Sequence, residues 1–476
     1  MAAFTITCAC GREIHTEDAH LGRQLRCSCG RLVVIERPAT NKQGGQTAKD
    51  DTATNTNKLF SERNIKRRPR SRPAPATARN PELVIPRRSW LSAFPAFQTF
   101  QTFRTFPALA ALSTFGRVIL WAAWAWLAVM ILAWWGLYTI SETSLPFAML
   151  LYGPRWVLLL PLALLLPASL FVARRALLPI TLSLWVGLFP VMGFRISRNL
   201  LSSTLREPPA VAGENVLRIL TLNAQGGGVA QQHIDELMVA YAPDILGFQE
   251  CGRPLVDRLV SYRRASQPWF LETYNGTCTL SRWPIVARDS MPRTAFAAVA
   301  SLGYGGAAMV IRYTIKTPHG ELQFVNQHLE TARKGLSGIL GDEGLFNDET
   351  GMPSLPTSIN GDRFAFNAEI RDRESERSGY WSSLHADRVP VVVVGDFNMP
   401  VESSIYRRYW RKPLVNAFEK RGLGFGFSKF EGSLLRIRID HVLAAPRFFD
   451  VQGAWVLKDV GSDHRPVLAD LKFKSR

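Results

Sequence analysis

Two hydrophobic periodicities divide the chain. Residues 118–140 form an unbroken apolar run without a charge, rich in Trp, Leu, Ile and Ala. At about 1.5 Å per residue it is long enough to cross a hydrocarbon core of about 30 Å. Residues 156–171 and 176–194 are two more such runs, bounded by Arg155, by Arg174 and Arg175, and by Arg195 and Arg198. Basic residues rather than amphipathic faces separate the three. The pattern therefore predicts three transmembrane helices over 118–200 and argues against buried core helices. Pro154, Pro161, Pro167, Pro179 and Pro190 are placed to kink the second and third.

From residue 215 onward the apolar runs shorten and alternate with polar, helix-like stretches. Strands are predicted at 216–223, 244–250, 276–285, 322–329, 391–398, 438–443 and 461–467, with a helix near 230–241 and an amphipathic stretch at 363–384. These strands share one design: an apolar run ends in one or two polar, ionisable residues. One strand-end Asp or Asn is ordinarily a turn former. Six or more in one domain is a constellation, because strand ends are rigid enough to hold catalytic geometry.

Residues 1–37 are different again. Cys8, Cys10, Cys27 and Cys29 sit in two Cys-x-Cys-Gly turns between short apolar strands. Two such turns can aim four thiolates at one Zn²⁺, which resembles the small zinc ribbons at the start of many bacterial membrane proteins. Two disulfides or free thiols are the alternative, and His15 and His20 are further ligand candidates. Residues 38–117 read as a basic disordered linker with a Lys/Arg cluster at 66–72, suited to anionic lipid headgroups. Phe recurs every three residues within 94–109, as a membrane-surface helix or simple low complexity would show.

The 476 residues carry a net charge of +18, which for a whole chain suggests nucleic-acid binding. The surplus is unevenly placed: residues 1–117 hold 19 basic against 8 acidic side chains, 118–206 hold 6 against 1, and 207–476 hold 32 against 30. A nearly neutral C-terminal half is unlike a protein that coats a polyanion. Six Cys in this length exclude a disulfide-dense scaffold, and Cys251 and Cys278 read as buried hydrophobes. Arginines flanking the runs are evenly split between the two sides, so the basic arm decides: N-terminus in the cytoplasm, residues 207–476 outside a bacterial inner membrane.

The strand-end residues are Asn, Glu, Asp and two His. Oxygen donors with few imidazoles suit Mg²⁺ or Mn²⁺, and such an ion with His acid/base groups suits phosphate-ester cleavage. The ordered motifs TLN, FQE, LSRWPI, VNQHL, GDFN, RIDHVL and SDHRPV resemble the endonuclease/exonuclease/phosphatase superfamily over about 215–473, within a catalytic domain expected at 215–476. That resemblance implies a two-sheet α/β sandwich with its site at the strand ends. It implies Glu250, Asn223 and Asp463 as metal ligands, and His464, oriented by Asp440, as base or phosphate-orienting group. It implies Asp396 and Asn398 as positioners of water and phosphoryl oxygens, and His328 as donor to a phosphoryl oxygen or leaving group. Gln225 stands where some members carry a second acidic ligand, which leaves the number of metals open. Arg282, Asn275 and Arg465 are secondary phosphate candidates, and the long segment 331–361 either overhangs the site or is a surface insertion.

The functional expectation is a membrane-anchored, metal-dependent phosphodiesterase acting on nucleic acid or phospholipid. Its alternatives are a phosphomonoesterase of the same fold and a non-catalytic, membrane-tethered binding or sensing protein. The bilayer and a phosphate-ester substrate are the expected partners, and no protein partner is evident.

Overall fold

The computed structural model describes residues 3–7, 13–17, 24–26, 32–34, 113–197, 207–264, 269–296, 308–336, 360–431 and 435–474. Met1–Arg88 and Ser89–Arg476 form separate units. In the first, β1 (Ala3–Thr7) pairs antiparallel with β2 (Glu13–Glu17), and β3 (Gln24–Arg26) with β4 (Leu32–Val34). Cys8 and Cys10 fall between β1 and β2 in sequence, and Cys27 and Cys29 between β3 and β4. The four cysteines, the basic cluster and the Phe repeat lie outside the described residues.

The second unit begins with the apolar runs. α1 (Thr114–Thr139) starts where the Ser113 hydroxyl accepts a hydrogen bond from the Gly116 amide at 3.1 Å, a side-chain cap. After it come the short α2 (Leu145–Tyr152) and a 3₁₀ turn, Arg155–Leu159, that runs into α3 (Leu160–Val172). Pro161 lies at the start of α3, where its missing N–H costs nothing. The third run is α4 (Leu177–Val186), continued by a π-helical turn, Gly187–Val191, at Pro190. α1 packs on α3 and α4, which pack on each other. Among the described residues two helices, Thr114–Thr139 and Arg155–Val172, are long and apolar enough to cross a membrane. The third run falls short of that length as a regular helix because proline and the π turn interrupt it.

The sandwich follows. One sheet has the order β17 (Phe449–Val456), β18 (Val467–Phe473), β5 (Val216–Asn223), β6 (Ile245–Gln249), β8 (Thr277–Ser281), β7 (Phe270–Tyr274). The other has β13 (Val415–Asn416), β16 (Asp440–Ala444), β12 (Val391–Asp396), β11 (Gly320–His328), β10 (Met309–Thr317), β9 (Ile285–Ser290). Each sheet contains one parallel pair, β5 with β6 and β11 with β12, flanked by antiparallel partners. The two sheets are thus topological copies. A separate hairpin, β14 (Lys429–Glu431) with β15 (Leu435–Ile437), lies outside both.

Alternation sorts the side chains into layers. Leu217, Ile219, Ile245, Phe324, Val392, Val394 and Val442 meet between the sheets. Leu220, Leu222, Leu246 and Phe248 face outward onto α5 (Gln231–Tyr241) and α6 (Arg253–Arg263). Val391 and Val393 face outward onto Ile405 and Tyr406 of α8 (Ser404–Tyr409), with Ile370 and Trp381 of α7 (Asn360–Ser383) packed against the same cluster. The predicted helix near 230–241 and the amphipathic stretch at 363–384 correspond to α5 and α7. Residues 337–359 of the long segment lie outside the described residues.

Cys251 and Cys278 are buried as expected, but they are joined in a disulfide rather than separate hydrophobes. The reason is tertiary: Cys278 sits opposite Phe248 in the β6–β8 pair, and Cys251 follows the end of β6. The bridge staples the two strands immediately beside Glu250.

Candidate active site

The inward-facing positions grade from apolar to polar toward one end of the sandwich. On β5 they read Leu217, Ile219, Thr221, Asn223; on β11, Leu322, Phe324, Asn326, His328; on β12, Val392, Val394, Asp396. The parallel pairs put Asn223 beside Gln249 and His328 beside Asp396. Antiparallel β16 begins where β12 ends, so Asp440 is the register partner of Asp396. The loop entering β18 delivers Asp463 and His464 to the same end.

A buried amide layer lies under this end. Gln249 Nε2 donates to Asn326 Oδ1 at 2.7 Å and to Thr221 Oγ1 at 3.1 Å. Asn326 Nδ2 donates to the Cys278 carbonyl at 3.0 Å and to Thr279 Oγ1 at 3.1 Å. Gly247 lets the sheets close here, since a Cβ on it would lie 2.7 Å from Val394. Gly395 is held at φ +136°, and a Cβ there would strike the Gln327 carbonyl at 1.9 Å. Satisfied buried amides fix a unique arrangement.

Asp396 is the hub. Its Oδ2 accepts from Asn223 Nδ2 at 3.1 Å and lies 3.7 Å from His328 Nε2 and 3.8 Å from His464 Nε2. Its Oδ1 accepts from the Asn398 backbone amide at 2.7 Å. Asn223 Nδ2 also donates to Glu250 Oε1 at 2.9 Å, and His328 Nε2 is 3.8 Å from that oxygen. His464 Nδ1 and Asp440 Oδ2 are hydrogen-bonded at 2.8 Å. With Asp440 ionised the imidazole donates from Nδ1, leaving the Nε2 lone pair turned toward Asp396. The 3.7 and 3.8 Å separations are too long for hydrogen bonds, so both Nε2 atoms are positioned to meet a ligand oxygen.

Burial and charge set the protonation states. Burial raises the Asp396 carboxyl, with Asp440 pushing the same way against the two imidazoles. Burial likewise raises Asp440 and lowers His464, which keeps the His464 ring neutral. Glu250 goes the other way: burial opposes its charge, but His328, the Asn223 amide, His464 and Lys429 together hold it below the usual carboxylate range. Three residues at the site, Gln225, Glu250 and Asn398, have left-handed φ of +46°, +48° and +50°. Non-glycine residues hold that conformation at a cost of order 1 kcal/mol each, and such strain clusters at functional sites.

The donors fit a hard divalent cation. Asp396, Asp440 and His464 bring one ligand atom each within 4.8 Å of one another, and the buried Asp440 Oδ1 lacks a hydrogen-bond partner among the described residues. Glu250, its side chain 41% exposed, offers a further carboxylate at the mouth. The eight residues expected in the strand-end site meet at this end, Asn398 through its backbone amide while its Nδ2 donates to the Leu329 carbonyl at 2.8 Å. Asp463 differs from expectation in one respect: its carboxylate is ion-paired with Lys429, so its route to a cation passes through that pair. Of the secondary candidates, Arg282 sits beyond β8 at the opposite end, 3.7 Å from Asp244. Arg465 stacks over the Phe430 ring. Asn275 lies in the β7–β8 turn, next to the Gly276 carbonyl that accepts from Cys251 N at 2.7 Å.

Sequence reasoning missed four supports. Lys429 meets Asp463, and the Ser428 hydroxyl accepts from the Asp440 amide at 3.0 Å. The Ser462 hydroxyl donates to the Asn223 carbonyl at 2.8 Å and accepts from the His464 amide at 3.1 Å. Arg371 on α7 donates from Nη2 to the Asn398 carbonyl at 3.2 Å and from Nε to the Glu330 carbonyl at 3.3 Å. Its Nη1 meets Glu142 at 2.5 Å. Only Ser462 had a sequence signal, its place in the SDH motif.

The pattern of the Endonuclease/Exonuclease/phosphatase family matches residues 220–464, just over half of the chain. No curated protein sequence matches the chain. Among solved structures, a humanized D. rerio TDP2 is 14% identical, covering 54% of this chain and 99% of its own, with a TM-score of 0.38. The 3′ phosphatase NExo from Neisseria, bound to a product DNA hairpin, is 17% identical, covering 54% and 99%, with a TM-score of 0.36. A family protein from Bacteroides thetaiotaomicron is 20% identical, covering 55% and 98%, with a TM-score of 0.35.

Proposed function

The chain belongs to the endonuclease/exonuclease/phosphatase family, whose members hydrolyse phosphate esters, and from that premise we propose that it is a membrane-anchored, Mg²⁺- or Mn²⁺-dependent phosphodiesterase. The observation that carries the catalytic part is the Asp396 hub, with two imidazole Nε2 atoms 3.7 and 3.8 Å from one carboxylate oxygen. A bound cation would be held by Glu250 and Asn223 with Asp463 at the mouth and by Asp396 and Asp440 below, leaving His464 Nε2 free, and would neutralise phosphoryl charge and lower the pKa of water. His464 Nε2, fixed by Asp440, takes the proton of the attacking water as its oxygen bonds to phosphorus. The ester P–O bond opposite breaks, and His328, whose Nε2 lies 3.7 Å from the same Asp396 oxygen, donates to a phosphoryl oxygen or the leaving alkoxide. Asp396 and Asn398 orient water and phosphate.

The membrane part rests on exposed apolar surface. Phe171 is 88%, Leu164 77% and Trp121 69% exposed, which a core helix of a water-soluble protein would not allow. Three crossings place residues 207–476 outside the cytoplasm when the basic arm lies inside, and the Cys251–Cys278 disulfide suits that oxidising side. For residues 1–37 a Zn²⁺ held by Cys8, Cys10, Cys27 and Cys29 is supported by two hairpins whose connections carry the cysteine pairs. Nucleic acid and phospholipid both remain substrates of this reading, and phosphomonoester cleavage is its nearest variant.

The test uses the full chain in an uncharged detergent, with bis(p-nitrophenyl) phosphate, Mg²⁺ or Mn²⁺, and chelator. Turnover is expected only with metal, and Glu250→Ala or His464→Ala should each lower it at least ~10²-fold while thermal unfolding stays cooperative. Wild-type turnover in both variants would sink the assignment, as would chelator-resistant activity.

A further inference from the structure

A second concave site lies where the apolar helices meet the sandwich. It is a cleft of about 310 Å³, and no residue of the strand-end site lines it. One wall comes from the start of the second apolar helix, Arg155 and Trp156, and from Met192 just past the π-helical turn of the third run. The other comes from Phe425 and Phe427, which stack at 5.1 Å, and from Arg436 and Arg438 around β15. In the membrane reading the ends of two spans mark the headgroup level, so the cleft opens there.

Its charges do not cancel within the protein. Three arginines line it against one carboxylate, Glu402. Arg155 takes Glu402 Oε2 at 3.0 Å, and Arg438 reaches Oε1 only at 3.9 Å. Arg438 is 5% exposed, and its Nε has no hydrogen-bond partner among the described residues. Arg436 is exposed on β15 and no carboxylate pairs with it among the described residues. An orphaned buried guanidinium N–H calls for an acceptor, and arginine forks match phosphate oxygens. A small soluble anion would answer the arginines but not Trp156, Met192 and the stacked phenylalanines. A zwitterionic or neutral lipid would answer the apolar wall but leave the net positive charge. Basic pockets at the ends of membrane helices, with aromatic residues at the same depth, recognise anionic lipid headgroups.

We propose that this cleft binds an anionic phospholipid, its phosphate on Arg436 and Arg438 and its acyl chains along Trp156 and Met192. The proposal rests on the membrane-anchored reading but not on the catalytic one. The test titrates full-length protein in uncharged detergent with dioleoyl-phosphatidylglycerol, dioleoyl-phosphatidylcholine or sn-glycerol 1-phosphate, following the thermal unfolding midpoint. Phosphatidylglycerol should raise the midpoint saturably, at concentrations where the other two do nothing. Arg436→Glu, at an exposed position, should move half-saturation about tenfold higher. Trp156→Ala should weaken binding too, and both variants should keep wild-type hydrolysis of bis(p-nitrophenyl) phosphate. Equal stabilisation by phosphatidylcholine, or an unchanged titration in Arg436→Glu, overturns the site. Equal stabilisation by glycerol phosphate overturns the lipid in favour of a small anion. A chain that stays soluble without detergent overturns the membrane reading and this site with it, whereas loss of hydrolysis alone concerns only the catalytic proposal.

Discussion

At the scale of residues, one strand shows how function is assigned by which way a side chain turns. Asp440 and His441 are neighbours on β16. Asp440 faces the space between the sheets and binds His464, whereas His441 faces outward among Phe397 and Tyr406 and bonds the Met399 carbonyl at 3.0 Å. Burial drives the His441 pKa down to about 3, so it is a neutral packing residue. The Asp440–His464 bond makes a sharp prediction. Asp440→Asn should keep the fold but free the imidazole to hold its proton on Nε2, lowering kcat ~10²–10⁴-fold with little change in KM. Steady-state kinetics of the full chain read this directly, and an unchanged kcat would remove Asp440 from the dyad. Asn223, His328, Asp396 and Asp440 were legible in the sequence because each stands at the end of a short apolar run, in an ordered set of motifs that resembles a known family. Lys429 was not: its partner Asp463 is 34 residues away, and nothing local marks the pairing.

At the scale of elements, α7 joins three parts of the molecule. Its Arg371 is buried and spans Glu142, 229 residues earlier in the chain, and the Asn398 carbonyl of the site. Tyr152 and Ser403 also donate to Glu142 Oε1, at 2.9 and 2.6 Å. The segment between α1 and α2 is therefore part of the support of the site. Arg371→Met should destabilise the full chain by about 3–5 kcal/mol, because it leaves Glu142 buried and uncompensated. Adding Glu142→Gln should recover part of the loss, and denaturant titration in detergent compares the two.

The same helix carries Glu374, which accepts from the Ala308 and Glu330 amides and faces the Glu330 carboxylate. Burial, reinforced by Glu330, lifts its pKa to about 8 from an ordinary 4.5. The folded state then keeps a proton that the unfolded chain gives up. This contribution is complete below about pH 4.5 and is lost as pH rises through about 8. The unfolding midpoint should fall across that window, and Glu374→Gln should flatten the slope; an identical slope in the variant would exclude Glu374 as its source.

At the scale of the whole molecule, the two sheets are copies with their parallel pairs back to back. Each parallel pair ends its strands at the same side, and the antiparallel neighbour begins there. That places six strands' worth of polar ends on one rim. The helical segment docks through Glu142, Arg155 and Arg195, the last paired with Glu419 at 2.7 Å. The proposed topology of three crossings would put this rim outside the cytoplasm. Alkaline phosphatase fused after Arg476 should be active and a cytoplasm-dependent reporter silent; the reverse would overturn the orientation. The Cys251–Cys278 bridge closes a 27-residue separation and should contribute roughly 3 kcal/mol. Reductant or Cys278→Ala should lower the unfolding midpoint accordingly, and no change on reduction would mean the bridge is absent in solution.

What the sequence determined by itself is local and periodic. The long apolar runs defined the helices, short apolar runs ending in polar residues defined β5, β6, β11 and β12, and the strand-end motifs with the family they resemble named Asn223, Glu250, His328, Asp396, Asn398, Asp440, Asp463 and His464. Hydrophobic period and strand-end chemistry are properties of neighbouring residues, so they are readable without the fold. Only the tertiary structure decided the Cys251–Cys278 bridge, the Lys429–Asp463 and Arg371–Glu142 pairs, and the arginine-lined cleft beside the helices. Each joins groups from separate elements, and the free energy of bringing charges and thiols together depends on distances that chain order does not encode.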